Sequence, residues 1–197
     1  HRVDRRQRQM CIRDSLMLDL EYFAEGELKD FGKERCGILT PITKAWISDL
    51  SVELTSMAIQ VYGGMGYVEE TGIAQYFRDA RIAPIYAGTN GIQAEDLVFR
   101  KITLNDGKAV ESLLKEMRTN ISSMKEHENL EPLSEILERH VAEIEEATQY
   151  LLKELGKGNL AGVSASGTPY LKMFGQVLGG HYMGKACLLY TSPSPRD

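Results

Sequence analysis

Thr40-Pro41-Ile42-Thr43-Lys44-Ala45-Trp46-Ile47-Ser48-Asp49-Leu50, continuing through Leu54 and Met57 to Gln60-Val61-Tyr62-Gly63-Gly64-Met65-Gly66-Tyr67, is the stretch that decides the fold. Ile42, Trp46, Leu50, Leu54, Met57 or Ala58, and Val61 recur at the spacing of one helical face. Thr40 suits an N-cap and Pro41 a first turn, so the spacing predicts a helix that opens there and stops at Gly63-Gly64. An apolar stripe of this period is core, which assigns Trp46 and Met57 to the interior.

Working outward, Glu70 to Asp79 reads as a short helix and Ala83-Pro84 as a break. Gly88-Thr89-Asn90-Gly91 is a turn. Asn90 with Gln93 three residues on forms a capping box, and Glu95 and Asp96 suit the first turn of the helix it opens. Leu97, Val98, Lys101, Ile102 and Leu104 carry that helix to the break at Asn105-Asp106-Gly107. Lys108 to Lys125 and Leu130 to Leu155 are long amphipathic helices, the second through Ile136, Val141 (or His140), Ile144, Ala147 and Leu151. Gly156-Lys157-Gly158-Asn159 is a loop, and Pro169 opens a last helix. No alternating strand pattern and no internal repeat occurs. The expected class is all-α, in two helical units with the second starting near Asn105.

The two ends read differently. Arg5 to Ser15 and Cys187 to Asp197 match in-frame translations of a transposon-type sequencing adapter in its two orientations, with His1 to Asp4 further upstream adapter. Residues 1–15 and 187–197 are therefore expected to be adapter-derived and not native, and are set aside. The first fifteen residues carry five Arg and two Asp and the last eleven one of each, so the net charge of −5 becomes −8 for the remainder. That argues against nucleic acid or an anionic membrane as a general partner. Cys11 and Cys187 go with the ends, leaving Cys36, which makes neither a disulfide framework nor a metal cluster. No run of 18 apolar residues reads as a membrane span.

Two glycine clusters can carry chemistry. Gln60 to Tyr67 has Gly63, Gly64 and Gly66 at a helix end, where missing side chains permit positive φ or close approach of a ligand; a tight corner between helices explains them equally. Ile85 to Gln93 leads into a helix N-terminus whose amides suit an anion or a carbonyl; an ordinary capped turn is the alternative. His127, His140 and His181 are scattered singly, and no His/Cys/carboxylate group has metal spacing. Glu25, Glu27, Asp30, Glu34 and Glu143, Glu145 and Glu146 read as solvated faces.

Taken together, Gln60 to Tyr67, Arg78-Asp79-Ala80-Arg81-Ile82 and Tyr86-Ala87-Gly88-Thr89 resemble three linked motifs of the acyl-CoA dehydrogenase family. Gly88 to Ala94, Asp96-Leu97-Val98 and Arg100-Lys101 resemble its large bacterial subgroup, which includes the 3-methylmercaptopropionyl-CoA dehydrogenases. Thr168 to Leu171, Phe174-Gly175 and Gly179-Gly180 look like the end of that subgroup's extra helical domain. The resemblance implies the C-terminal helical bundle of the acyl-CoA dehydrogenase fold over 16–104, followed by the second domain over 105–186. It implies an oxidoreductase converting an acyl-CoA thioester to the enoyl-CoA with FAD, reoxidised by an electron-transferring flavoprotein, in a bacterial cytoplasm. Gln60, Gly63 and Gly64 then fall where the family contacts the FAD of a neighbouring subunit, so a homodimer or homotetramer is implied. Thr89 and Gly91 fall where FAD is contacted beside the active site, and Ala87 and Gly88 where the thioester binds. Arg78 and Asp79 are implied to be structural, in an ion pair between helices. No metal is implied.

Ala87 departs from the pattern. In this subgroup the position usually holds the glutamate that takes the α-proton, and a methyl group accepts no proton. The backbone N–H remains, and in the family it donates to the thioester carbonyl. Three readings stay open: a base on another helix upstream of Leu16, a single-base change from a glutamate codon, or a flavin-binding relative that no longer dehydrogenates. The isolated piece, without the family's other two domains, is expected to be inactive and not to hold FAD.

Overall fold

The computed structural model describes residues 15–191. Of the two stretches read as adapter, 1–14 and 192–197 lie outside the described residues. The chain is helical: α1 (15–23), α2 (Glu27–Tyr62), a one-turn α3 (Gly64–Tyr67), a 3-10 turn (Glu69–Thr71), α4 (Ile73–Ile82) and α5 (Asn90–Asp96). A π turn (Leu97–Lys101) and a 3-10 turn (Leu104–Gly107) lead to α6 (Lys108–Lys125), α7 (Glu131–Gly156) and α8 (Leu160–Thr191). Among the described residues there is no strand, as the sequence implied.

Both prolines expected to open helices lie inside them: Pro41 within α2, Pro169 within α8. An interior proline costs about 3 kcal/mol. Ile38, Leu39, Ile42, Ala45 and Trp46 are buried around Pro41, and Val163, Tyr170, Leu171 and Phe174 around Pro169. Fully burying one large apolar side chain is worth about 1.5–3 kcal/mol, so packing outweighs the breaker at both places. Thr40 caps nothing; its hydroxyl lies 3.4 Å from the Cys36 sulfur. The start of α8 is set by Asn159, whose Oδ1 accepts from the Gly162 amide at 3.1 Å.

The break at Asn105-Asp106-Gly107 forms as read. All three have left-handed φ (52°, 54° and 84°), and Asn, Asp and Gly are the residues that adopt it most readily. It reverses the chain into α6, which packs with α7 and α8 in a core of Leu113, Met117, Ile121, Ile144, Leu151, Phe174 and Leu178. The α7 stripe is shifted from the one expected. Leu137, Val141, Ile144, Thr148 and Leu151 are buried, whereas Ile136 is half exposed, because the helix turns its neighbour Leu137 inward.

Trp46 joins α2 to α8. Its indole lies on α8 where Gly175 and Gly179, one turn apart, leave a notch. A Cβ on Gly175 would stand 2.4 Å from Trp46 Cγ, and one on Gly179 2.9 Å from Cη2. The last buried residue of α2 is Ser48. Beyond it no residue of α2 is buried, and α4, which packs on α2, has no buried residue of its own. Met57 and Val61, expected in the core, are therefore 57% and 85% exposed.

Candidate active site

The two glycine segments lie at either end of α4. At the first, the Gly63 N–H bonds back to Gln60 O at 3.1 Å, and Gly63 takes φ +61°. Gly66 is buried, and a Cβ there would stand 2.3 Å from Ile59 O. These two glycines are explained within the chain, one by conformation and one by close packing. Gly64 is not: its φ is ordinary and a Cβ would meet nothing within 4 Å. Gln60, Gly63 and Gly64 all face solvent.

At the second segment, the Tyr86 N–H donates to Ile82 O at 2.9 Å and the Asn90 N–H to Pro84 O at 3.0 Å, which closes the loop. At its tip Ala87 and Gly88 are both left-handed, φ +56° and +84°. That conformation costs an alanine about 1–2 kcal/mol and persists only where surrounding contacts impose it. Among the described residues, the amides of Ala87, Gly88 and Thr89 have no hydrogen-bond partner. Ala87, Thr89 and Gly91 are exposed and Gly88 half-buried. Gly91, like Gly64, has ordinary φ and no close neighbour for a Cβ.

The cap of α5 is Thr89, not Asn90: Thr89 Oγ1 accepts from the Ile92 N–H at 3.3 Å. Asn90 is turned instead toward α2, whose polar groups compete for its amide. Its Nδ2 donates to Asp49 Oδ1 (2.7 Å), Ser48 Oγ (2.9 Å) and Ala45 O (3.1 Å). Its Oδ1 accepts from Lys44 Nζ at 2.8 Å. The Lys44 ammonium also donates to the carbonyl of Gly88. Lys44 is half-buried; burial lowers its pKa and the Asp49 charge opposes that.

The structure thus brings Ala87, Gly88, Thr89 and Gly91 together, and separately Gln60, Gly63 and Gly64. It does not bring the two groups to one place. Asn90 packs against Ser48, and twelve residues of helix to Gln60 span about 18 Å. The ion pair expected of Arg78 and Asp79 is replaced by a bidentate contact of Arg78 to Glu69, at 2.8 and 3.0 Å. Glu69 lies in the 3-10 turn just before α4, nearer than any partner helix. A cleft of about 750 Å³ lined by Glu34, Cys36, Gln93, Asp96 and Lys101 includes none of the candidate residues. Among the described residues no group of three His, Cys, Asp or Glu side chains is placed to hold a metal ion, and no helix is long and apolar enough to cross a membrane.

Residues 20–102 match the acyl-CoA dehydrogenase C-terminal domain, and residues 113–191 the acetyl-CoA dehydrogenase C-terminal-like domain. The chain belongs to the acyl-CoA dehydrogenase family. Its 3-methylmercaptopropionyl-CoA dehydrogenase relative from Ruegeria pomeroyi is 41% identical over 101 residues, 51% of this chain. A butyryl-CoA dehydrogenase of Syntrophomonas wolfei is 34% identical over 102 residues, 52% of this chain. The chain spans 17% of the length of each. The fold is that of Caenorhabditis elegans ACDH-11, solved in complex with C11-CoA: TM-score 0.65 at 22% identity, covering 94% of this chain and 32% of that one.

Sequence reasoning found the turn but neither its strain at Ala87 nor what lies beneath it. Lys44 and Ser48, one turn apart among the buried Ile42, Ala45 and Trp46, were the available signal: polar groups on a packed segment need partners.

Proposed function

We propose that this chain is the C-terminal part of an FAD-dependent acyl-CoA dehydrogenase that converts an acyl-CoA thioester to the α,β-enoyl-CoA. The observation that carries the reading is the tip of the 85–91 loop: three successive amides without internal partners, exposed on a left-handed Ala87-Gly88 pair. In this reading the Ala87 N–H donates to the thioester carbonyl, where negative charge grows as the α-proton leaves. A preorganised donor of this kind is worth about 10²–10³ in rate. The glycines at 64 and 91, which nothing in the chain itself requires, fit a bound nucleotide that needs the space a side chain would take. FAD, when bound, supplies the hydride acceptor. Gln60, Gly63 and Gly64 are proposed to hold it from a neighbouring subunit, which fits their distance from Thr89 and Gly91. A homodimer or homotetramer, an electron-transferring flavoprotein as oxidant and a bacterial cytoplasm belong to the same reading. So do the division into a bundle (16–104) and an extra domain (105–186), and adapter origin for 1–15 and 187–197.

The base in this reading is a carboxylate outside this chain, since Ala87 accepts no proton. Asp49, the carboxylate nearest the loop in hydrogen-bonding terms, is engaged by Asn90. The test is anaerobic mixing of the full-length, FAD-loaded protein with acyl-CoAs of different chain lengths. Flavin bleaching by wild type, little improved by Ala87→Glu, is the expected result. Bleaching by Ala87→Glu alone would place the lost base at position 87, and bleaching by neither would leave a flavoprotein without this reaction. The 197-residue chain by itself is expected to retain no FAD after desalting.

A further inference from the structure

We propose that Lys44 is a positioning residue for the reaction: through Gly88 O and Asn90 it holds the left-handed Ala87-Gly88 tip so that the Ala87 N–H meets the thioester carbonyl. This rests on the acyl-CoA dehydrogenase reading above.

The tip adopts a conformation that alanine does not choose unaided, so some contact must impose it. The closing bond from Asn90 N–H to Pro84 O fixes the base of the loop but leaves the tip free to flip its peptides. Gln93 packs its side-chain amide beside Gly88, and among the described residues Lys44 is the side chain that hydrogen-bonds the tip. Its ammonium takes the Gly88 carbonyl, which fixes the orientation of the peptide after Gly88. A charge-assisted bond is about twice as strong as a neutral one, and a half-buried site keeps solvent competition low. The same ammonium binds Asn90 Oδ1, and Asn90 is in turn tied to Asp49, Ser48 and the Ala45 carbonyl. Ser48 completes the set by donating to Ala45 O at 3.1 Å. The clamp is therefore anchored on the part of α2 locked by Trp46 to α8, not on its exposed end. Lys44 touches no reacting atom; it acts through the backbone of its neighbours. Misplacement by about 1 Å of a group that must meet a reacting centre can cost 10² in rate, which sets the scale of the expected effect.

The experiment uses the full-length, FAD-loaded protein as wild type, Lys44→Met and Lys44→Arg. Amide hydrogen exchange over residues 86–91 is expected to speed up at least tenfold in Lys44→Met and to return toward wild type in Lys44→Arg, with α6 and α7 unchanged. In single-turnover flavin reduction, the limiting rate is expected to fall about 10- to 100-fold in Lys44→Met, while acyl-CoA affinity and FAD content stay within about threefold. The carbonyl stretch of a bound ¹³C-labelled thioester is expected to shift back toward its solution position. Wild-type exchange in Lys44→Met, or faster exchange with unchanged limiting rate and carbonyl stretch, would overturn the proposal. Should Lys44→Met lose protection throughout α6 and α7, Lys44→Gln carries the same comparison with a neutral donor. Failure of the wild type to reduce flavin with any acyl-CoA refutes the dehydrogenase reading before a variant is made. The exchange and carbonyl measurements then decide the clamp alone.

Discussion

The two halves of α2 are one continuous helix with opposite circumstances. From Gly32 to Ser48 it carries all its buried residues and packs on α5, α6 and α8, and Ile38, Leu39 and Ile42 are inaccessible. From Asp49 to Tyr62 it has no buried residue, and with α3 and α4 it shows Met57, Val61, Tyr62, Met65, Tyr67 and Tyr76 to solvent. The apolar period is the same throughout. What differs is whether the elements laid against it are enough to bury it. An apolar stripe therefore reports the demand for a partner, not its presence, and an exposed run of this size marks a contact surface.

That contrast can be broken most forcefully at its enclosed end. Trp46→Ala removes the indole from the Gly175–Gly179 notch and is expected to lower stability by about 3–5 kcal/mol, measured as a fall in the urea midpoint. The next effect depends on pH. His181 is fully buried and hydrogen-bonded to Asn120, and its Nε2 faces Glu116 Oε1 at 3.9 Å. Burial lowers its pKa, with Glu116 opposing. The unfolded chain then binds a proton that the folded one resists. Stability should be full above about pH 6.5 and fall as pH drops below it, by at most about 2 kcal/mol down to pH 5 at 1.4 kcal/mol per pH unit. His181→Gln should flatten this part of the curve.

Glu116 adds a second fall at lower pH. His181, then Lys185 (3.0 Å) and Arg35 (3.2 Å), hold its carboxyl well below the ordinary range against the effect of burial. Its stabilisation is present above about pH 4.5 and lost below, and Glu116→Gln should remove that step. Smaller still is Tyr170→Phe. Burial pushes this phenol's pKa up, and its hydroxyl meets Thr148 at 2.6 Å. Thr148 keeps its bond to Ile144 O at 2.7 Å, so the loss should be about 1 kcal/mol in the same titration. At the exposed end, Val61→Ser should change the stability of this chain by less than about 0.5 kcal/mol. A large loss there would show that the second half of α2 is covered after all.

The same contrast explains what could be read beforehand. Helix content, the turn at Asn105-Asp106-Gly107 and the limits of α6 follow from local period and turn chemistry, and the structure keeps them. The prolines misled because an N-terminal signal and a tolerated interior proline look alike in one dimension; only the burial around Pro41 and Pro169 separates them. Asn90 misled for a related reason. Its side chain caps a helix or bridges to another, and Lys44, Ser48 and Asp49 lie more than forty residues away in sequence. The positions of Gln60, Gly63 and Gly64 at one boundary, and of Ala87 to Gly91 at another, were legible as helix ends. Their separation along α2 was not, because glycine spacing carries no information about how α4 folds back.

Position 87 has a consequence for how this protein can change. Glycine would sit there more easily than alanine by about 1–2 kcal/mol, yet the position bears a Cβ. An L-residue with an unbranched Cβ meets a backbone already bent to this shape, so exchanging the group it carries asks little further of the main chain. One codon can thus alter what is presented above the loop while the helices beneath go on packing as before.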